Sequence, residues 1–545
     1  MAHILNRRSF LKTGAGGAFT LGLASLLNTP PFLRQALAEG SIGLNGKKLI
    51  FIFLRGGNDG VNNIIPVLDP SYYGQRAQIG IPKHPTGDAY YQGTGGPGTL
   101  LGVDPAAPGA AIPLNNGFAG INPALSDLVP LYNAGDLALV HRAGYRSLSR
   151  SHFDSERYWE KATDGTSANR LVGDGIWYRT IVESGWNLNH ALSGVSIQSN
   201  LPQSLRGEQP MTNLSSIGRY NLLGVAGSST ANVNGTTVLS DRTKLLNRID
   251  AAHFQPRPSK DNREMLYNLG VQFRDTLDIF QDPTFQSNNF PDDGLTGYPS
   301  TTQLFPINTA SDQRGLGSGA YGFMQNIKTC AQILNRTDAI ISGTEIGGWD
   351  THTAQVTVGS PHLGGHATLL RRVAWAYYSL WKYFKIYGKN GSNPAPGATT
   401  SWDDVVVVAM SEFGRTSREN GSVGTDHAEA SVMYVAGGGV QGGTFGCDIL
   451  NSPILGGPNW VIGDGTTKGS LFSITNSSNV PISEGYIKRT IDYRSVLGEI
   501  IRDHLGATQS QLNRIIPAYA NESVEHLLSG GMVATTPILG ELGLV

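Results

Sequence analysis

Charge, cysteine and long apolar runs are all scarce in this 545-residue chain. Charged residues make up 15% and nearly cancel, to a formal net charge of −1, with no Lys/Arg run past the N-terminal dozen residues. Electrostatics therefore offer no basis for nucleic acid or an anionic membrane as a partner. The two cysteines, Cys330 and Cys447, have no metal-cluster spacing. They are either a disulfide formed in an oxidising compartment or two isolated buried thiols. No segment reaches the ~20 apolar residues a spanning helix needs, so the mature chain is expected to be soluble, without a transmembrane segment. Heptads and internal repeats are missing. Gly437-Gly438-Gly439 lacks the following helix that a phosphate loop requires, and no G-x-S-x-G elbow supports a Ser-His-Asp hydrolase.

Glycine, by contrast, is abundant: 70 residues, about twice the usual share, which implies many tight loops. The N-terminus reads as an address. Asn6-Arg7-Arg8-Ser9-Phe10-Leu11-Lys12 precedes a mild apolar stretch from Thr13 to Leu27, and Ala36-Leu37-Ala38 offers small residues for cleavage. Residues 1–38 are thus expected to be a twin-arginine signal peptide, handled by the twin-arginine translocation machinery, with the product periplasmic or extracellular. A short amphipathic N-terminus is the plainer alternative. Residues 39–545 are expected to form one α/β domain.

Continuous apolar runs at Lys48–Leu54, Leu137–His141, Val405–Met410 and Ser431–Ala436 have the length and β-branched content of buried strands. A short strand is expected at Ile340-Ile341. Helical periodicity covers Tyr321–Leu334, Leu370–Phe384 and Val496–Leu505, the last stopped by Gly506, and Ser151 opens a further helix. Strands alternating with helices predict a doubly wound, mostly parallel sheet with helices on both faces. Ser/Thr/Asn/Gly/Pro-rich stretches at about 205–262 and 282–318 read as polar insertions outside the sheet, forming a cap.

Acids and imidazoles gather at the ends of these strands. Asp59 follows the first strand in Arg55-Gly56-Gly57-Asn58-Asp59-Gly60, Asp350 and His352 lie in Gly348-Trp349-Asp350-Thr351-His352, Glu412 follows the Val405–Met410 strand, and Asp426-His427 lies between two strands. Ligands of wound sheets bind outside the carboxyl ends of the strands, and carboxylates with imidazoles suit divalent cations. Each position also has a plainer reading. Ser151 is a favoured N-cap, Asn-Asp-Gly is a turn former, and Glu412 is a natural buried partner for Arg415. Asp350/His352 and Asp426/His427 can be hydrogen-bonded pairs. Arg55 and Arg415 are as well suited to structural ion pairs as to gripping a substrate.

These motifs, with Arg150-Ser151-His152-Phe153 and Ser411-Glu412-Phe413-Gly414-Arg415-Thr416, resemble the bacterial family called domain of unknown function 1501 (DUF1501), over nearly the whole mature chain. That family looks like a branch of the alkaline phosphatase–sulfatase superfamily. The resemblance implies an alkaline phosphatase-like fold and an exported metal-dependent hydrolase or transferase acting on a phosphate or sulfate ester. It implies Asp59, Asp350, His352, Glu412, Asp426 and His427 as ligands of one or two divalent ions (Zn, Mn, Mg or Ca). It also implies Ser151 as a metal-activated nucleophile, His152 as an acid for the leaving group, and Arg415 and Arg55 as clamps on the ester oxygens. One departure stands out: Phe413 occupies a position where the superfamily carries histidine. The alternative reading is a non-catalytic envelope binding or assembly protein that keeps the fold with a degraded metal site.

Overall fold

The computed structural model describes residues 42–92, 102–145, 148–165, 172–186, 190, 192–209, 211–217, scattered positions between 230 and 277, then 279–452, 457–463, 469–471, 473–475, 481–487, 489–516, 519 and 541–545. The expected export signal, and most of the expected insertion at 205–262, lie outside the described residues.

Nine strands make one sheet: β1 (Lys48–Arg55), β2 (Leu137–Gly144), β3 (Gly194–Ile197), β4 (Thr212–Leu214), β5 (Ile341–Gly347), β6 (Val405–Met410), β7 (Ser431–Gly437), β8 (Gly443–Phe445) and β9 (Ile491–Asp492). Their spatial order is β8-β2-β7-β6-β1-β5-β3-β4, with β9 also pairing β2. β7 runs antiparallel to both its neighbours, β6 and β2, and every other pairing in this sheet is parallel.

The central strands read as unbroken apolar runs because both faces are covered. Along β1 the side chains alternate: Ile50, Ile52 and Leu54 enter one core, and Leu49, Phe51 and Phe53 enter the other. β6 divides in the same way, with Val405, Val407 and Ala409 on one side and Val406, Val408 and Met410 on the other. The helices used below are α1 (Pro70–Gln75), α2 (His152–Glu160), α3 (Ile176–Ser184), α4 (Tyr321–Arg336), α5 (Gly365–Tyr387), α6 (Tyr493–Glu499) and α7 (Gln509–Ile515). The first core is closed by α4 and α5 through Met324, Ile327, Val373, Tyr377 and Leu380. The second is closed by Trp159 of α2, Trp177 and Ile181 of α3, Val496 of α6 and Leu512 of α7. The chain is thus an α/β fold with a mixed, mostly parallel sheet between helices.

Two expectations about the insertions are corrected. Thr212–Leu214 joins the sheet as an edge strand on β3. Residues 282–318 pack along α5 instead of capping the strand ends. Leu304 carbonyl accepts from Trp375 Nε1 at 3.0 Å and Asp292 accepts from Tyr378 at 2.7 Å, with Phe290 and Phe305 buried. Cys330 and Cys447 are both buried and free. Among the described residues no helix is long and apolar enough to cross a membrane.

Candidate metal centre

The carboxyl ends of β1, β2, β5 and β6 lie along one edge of the sheet, and β7, running the other way, starts from it. Loops leaving or entering these strands carry Arg55–Asp59, Arg150–His152, Asp350–His352, Ser411–Arg415 and Asp426-His427. Close backbone approach requires glycine here. A Cβ on Gly56 would lie 2.4 Å from Asp350 N, and one on Gly424 would lie 2.3 Å from His352 O.

Three histidines share one arrangement. His152 Nδ1 is 2.8 Å from Glu412 Oε1, His352 Nδ1 is 3.0 Å from Asp426 Oδ1, and His427 Nδ1 is 2.8 Å from the carbonyl of Arg150. Ionised carboxylates and carbonyls only accept, so each Nδ1 holds the proton and each Nε2 presents a lone pair when the ring is neutral. These Nε2 atoms face Asp350. His352 and His427 lie 3.1 and 3.2 Å from Oδ1, and His152 lies 3.5 Å from Oδ2. The Nε2 atoms of His352 and His427 are only 2.9 Å apart, two lone pairs with no intrinsic donor between them. His152 Nε2 is buried with no hydrogen-bond partner. His152, Asp350 and His427 offer ligand atoms that all lie within 4.8 Å of one another, and His352 adjoins them through its contacts with Asp350 and His427.

Hydrogen bonding to a protonated Nδ1 is how proteins orient metal-ligating histidines. Glu412 and Asp426 therefore support the histidines instead of facing the centre themselves. Glu412 is fully buried and also accepts from Gly56 N at 2.7 Å and Ser411 Oγ at 3.0 Å. Phe413, the departure noted in the sequence, packs against two of the rings, 4.8 Å from His152 and 4.5 Å from His427 centroid to centroid. It is a packing platform, and Gly57 makes room for it, since a Cβ there would lie 2.4 Å from its ring.

Electrostatics follow the same geometry. Burial alone would raise the Asp350 carboxyl, but the hydrogen bond and charge of Arg415, joined by the facing imidazoles when they are protonated, outweigh it and bring it down to about 2. His152 is raised, chiefly by its hydrogen bond to Glu412. His427 is lowered, chiefly by burial. Asp426 is held low: burial opposes, and the hydrogen bonds from His352 and Asn420 prevail.

Four expected site residues are engaged elsewhere. Asp59 is fully buried, with Oδ1 2.9 Å from Arg76 Nη2, and Oδ2 2.6 Å from both Arg76 Nη1 and Gln355 Nε2. A permanent cation thus already occupies its coordination space. Arg55 pairs with Glu156 at 3.0 Å, Glu160 at 2.9 Å, and Glu345. Arg415 is buried; besides Gly56 O, it donates to Gly57 O at 2.8 Å, Thr425 O at 3.0 Å, Trp349 O at 3.1 Å and Asp350 Oδ1 at 2.7 Å. It ties the loops together and aims Asp350, leaving no free fork for a substrate. Ser151 is the exposed N-cap of α2, with Oγ 3.5 Å from Asp154 N. Sequence reasoning placed His152 as an acid and missed its place in the histidine set. It also missed Arg76, which follows α1 with no motif around it.

A cleft of about 610 Å³ opens beside the cluster, lined by His352, His427, Arg150, Arg418, Asn420 and Tyr486 among others. The chain matches the family model described as "Protein of unknown function (DUF1501)" over residues 397–447. That span takes in β6, Glu412, Arg415, Asp426 and His427, but not His152 or Asp350. No curated protein and no solved structure matches the chain.

Proposed function

We propose that this chain is an exported, metal-dependent hydrolase or transferase of a phosphate or sulfate ester, working through one divalent cation held by His152, His427 and Asp350 with His352 as the fourth group. The observation that carries this reading is the convergence of three Nε2 lone pairs on one carboxylate, each ring fixed from behind by an acceptor-only oxygen. The donor set fits. Imidazoles with one carboxylate suit Zn or another borderline transition metal, whereas Mg and Ca prefer all-oxygen shells. Charge also fits. Asp350, Glu412 and Asp426 against Arg415 leave the hydrogen-bonded cluster two negative charges when the imidazoles are neutral, which a divalent ion balances. The engagement of Asp59 with Arg76 favours one ion over two.

A divalent ion in such a site polarises an ester oxygen and lowers the pKa of water. The chain's own groups would do the rest. Arg415 holds Asp350 ionised, Glu412 and Asp426 hold the imidazoles in register, and Phe413 packs against His152 and His427 from one side. Ser151 stands between His152 and Arg150 at the start of a nine-residue helix, where free backbone N–H groups favour an anion. Its place in the Arg150-Ser151-His152 motif makes it the nucleophile of this proposal. The Arg7-Arg8 pair with the apolar stretch after it supports export to the periplasm or beyond.

The test is metal analysis of the mature chain, followed by assay on aryl phosphates and aryl sulfates. About one transition-metal ion per chain is expected, lost in His152→Ala and Asp350→Ala, with turnover lost in both. Ser151→Ala is expected to keep the metal and lose turnover. A native protein with no bound metal and no response to added Zn or Mn would end this reading.

A further inference from the structure

We propose that Arg150 is the anion-binding residue of this site, and that the group it takes is an oxyanion (phosphate, sulfate or carboxylate) seated in the cleft beside His352 and His427. This deepens the reading above and rests on it for the reaction and for the charge balance of the cleft.

The two arginines that the motifs single out are engaged, Arg55 by three glutamates and Arg415 by four carbonyls and Asp350. Arg150 differs. Its side chain is exposed to the cleft, and no carboxylate pairs with it among the described residues. Its contacts are with Tyr486: Nη1 donates to the phenol oxygen at 2.6 Å, and the guanidinium lies 5.9 Å from the ring centroid. Tyr486 is itself buried and ends the strand Pro481–Tyr486, so a fixed surface orients the guanidinium. One of its five N–H donors is used in this way, and the remainder can meet a planar or tetrahedral oxyanion two at a time.

Each acid lining the cleft has one oxygen held by hydrogen bonds. Asp426 accepts from His352 and from Asn420 at 3.0 and 3.2 Å, and Glu419 accepts from the backbone N–H groups of Gln78 and Ile79 at 2.8 and 3.0 Å. With the cluster's charge matched by a divalent ion, Arg150 and Arg418 against Glu419 leave the cleft lining one positive charge in excess. A neutral ligand would waste that charge, whereas an anion answers it.

One residue joins the two halves of the site. The Arg150 carbonyl fixes the His427 tautomer at 2.8 Å, while its side chain faces the same cleft. Substitution of the side chain leaves that carbonyl in place, so anion binding can be removed without removing the cation.

The experiment is calorimetric titration of metal-loaded protein with inorganic phosphate, inorganic sulfate and acetate, for wild type, Arg150→Gln, Arg150→Lys and Tyr486→Phe, with metal content measured on each. Wild type is expected to bind at least one of the three anions, more weakly as NaCl rises. Arg150→Gln is expected to lose tenfold or more in affinity at unchanged metal content, Arg150→Lys to recover part of it, and Tyr486→Phe to lose a smaller factor. The anion that binds most tightly identifies the substrate's acidic group. Arg150→Gln binding as wild type does, or wild type binding none of the three, would overturn the proposal. Chelated protein is titrated in parallel. Arg150-dependent binding there, in a protein that never takes up metal, would sink the hydrolase reading and leave the anion site standing.

Discussion

Asp59 and Asp350 follow adjacent parallel strands, β1 and β5, and motif reading gave them the same task, yet the structure treats them in opposite ways. Asp59 has no solvent exposure, and the Arg76 fork reaches both its oxygens. Asp350 has a side chain 48% exposed. Arg415 gives it one nitrogen at Oδ1, while imidazole lone pairs fill the rest of its surroundings. A carboxylate sealed in the interior needs a counter-ion built into the chain. One at a cleft, faced by lone pairs, leaves room for a cation from solution. Gln355 connects the two regions. Its Nε2 donates to Asp59, and its Oε1 accepts from Thr351 at 3.1 Å and Thr425 at 2.7 Å, neighbours of His352 and Asp426.

The sharpest break of this comparison is to truncate each acid. Asp59→Ala leaves Arg76 buried without its partner and should cost about 3–5 kcal/mol of folding stability, read by denaturant unfolding. Asp350→Ala also takes the carboxylate from a buried arginine, but Arg415 keeps its four carbonyl acceptors. It should therefore cost less, about 1–3 kcal/mol of metal-free stability, and abolish metal uptake. If Asp350→Ala unfolds the protein as severely as Asp59→Ala, the two acids do the same work and the contrast is void.

Acid should next separate the inner layer from the outer. His366, whose Nε2 is 3.3 Å from Asn58 Oδ1, is pushed down to about 4, chiefly by burial. Its folded pKa lies below the unfolded value of 6.5, so the unfolded chain binds the extra proton. Its contribution to stability is full above 6.5 and is lost as pH falls toward 4, on the order of 3 kcal/mol over that window. His141 and His504, also lowered by burial, to about 3 and about 4, add slopes of the same sign. His366→Gln should flatten the stability profile of metal-free protein between pH 6.5 and 4 by about 1.4 kcal/mol per pH unit. An unchanged profile would place His366 outside this account.

Smaller effects should come from the carboxylates behind the histidines. Glu412→Gln and Asp426→Asn keep the shape of the side chain but weaken the hold on Nδ1–H, and each should lower metal affinity by roughly 10–100-fold. Competition with a chelator measures it. A complete loss of metal in either variant would make that residue a direct ligand and restore the simpler motif assignment.

The strands were legible because covered sheets leave long apolar runs, and Val405–Met410 needs no tertiary information to read. Thr212–Leu214 was not legible, since an edge strand three residues long needs little apolar content to pair. In the site, the alternation of Asp350 and His352 and the adjacency of Asp426 and His427 brought the right segments together. Their roles were beyond reach. Whether a carboxylate faces a cation or a histidine's Nδ1 depends on side-chain direction, and Arg76 becomes the partner of Asp59 only once α1 turns it inward. Phe413 looked like a lost ligand because the sequence could not show two imidazoles packed on its ring.

The smallest predicted effect tests how the inner layer holds the outer. Val423 has φ 57° and Ala354 has φ 47°, left-handed conformations that a β-branched residue adopts only at a cost on the order of 1–3 kcal/mol. The two turns are joined to each other: Ser422 O accepts from Ala354 N at 3.0 Å and Val423 O accepts from Gln355 N at 2.9 Å. This junction binds the loop bearing His352 to the loop bearing Asp426, so strain in the chain is exchanged for histidine placement. Val423→Gly removes the strain but adds about 0.4–1 kcal/mol of unfolded-state entropy. Metal-free stability should therefore rise by about 1 kcal/mol, the difference of those two effects. Metal affinity should fall a few-fold as the junction loosens. Thermal unfolding with and without metal reads both changes. If the glycine variant gains equally in the two conditions, the strained turn serves the fold alone and the loops need no such tension to present the histidines.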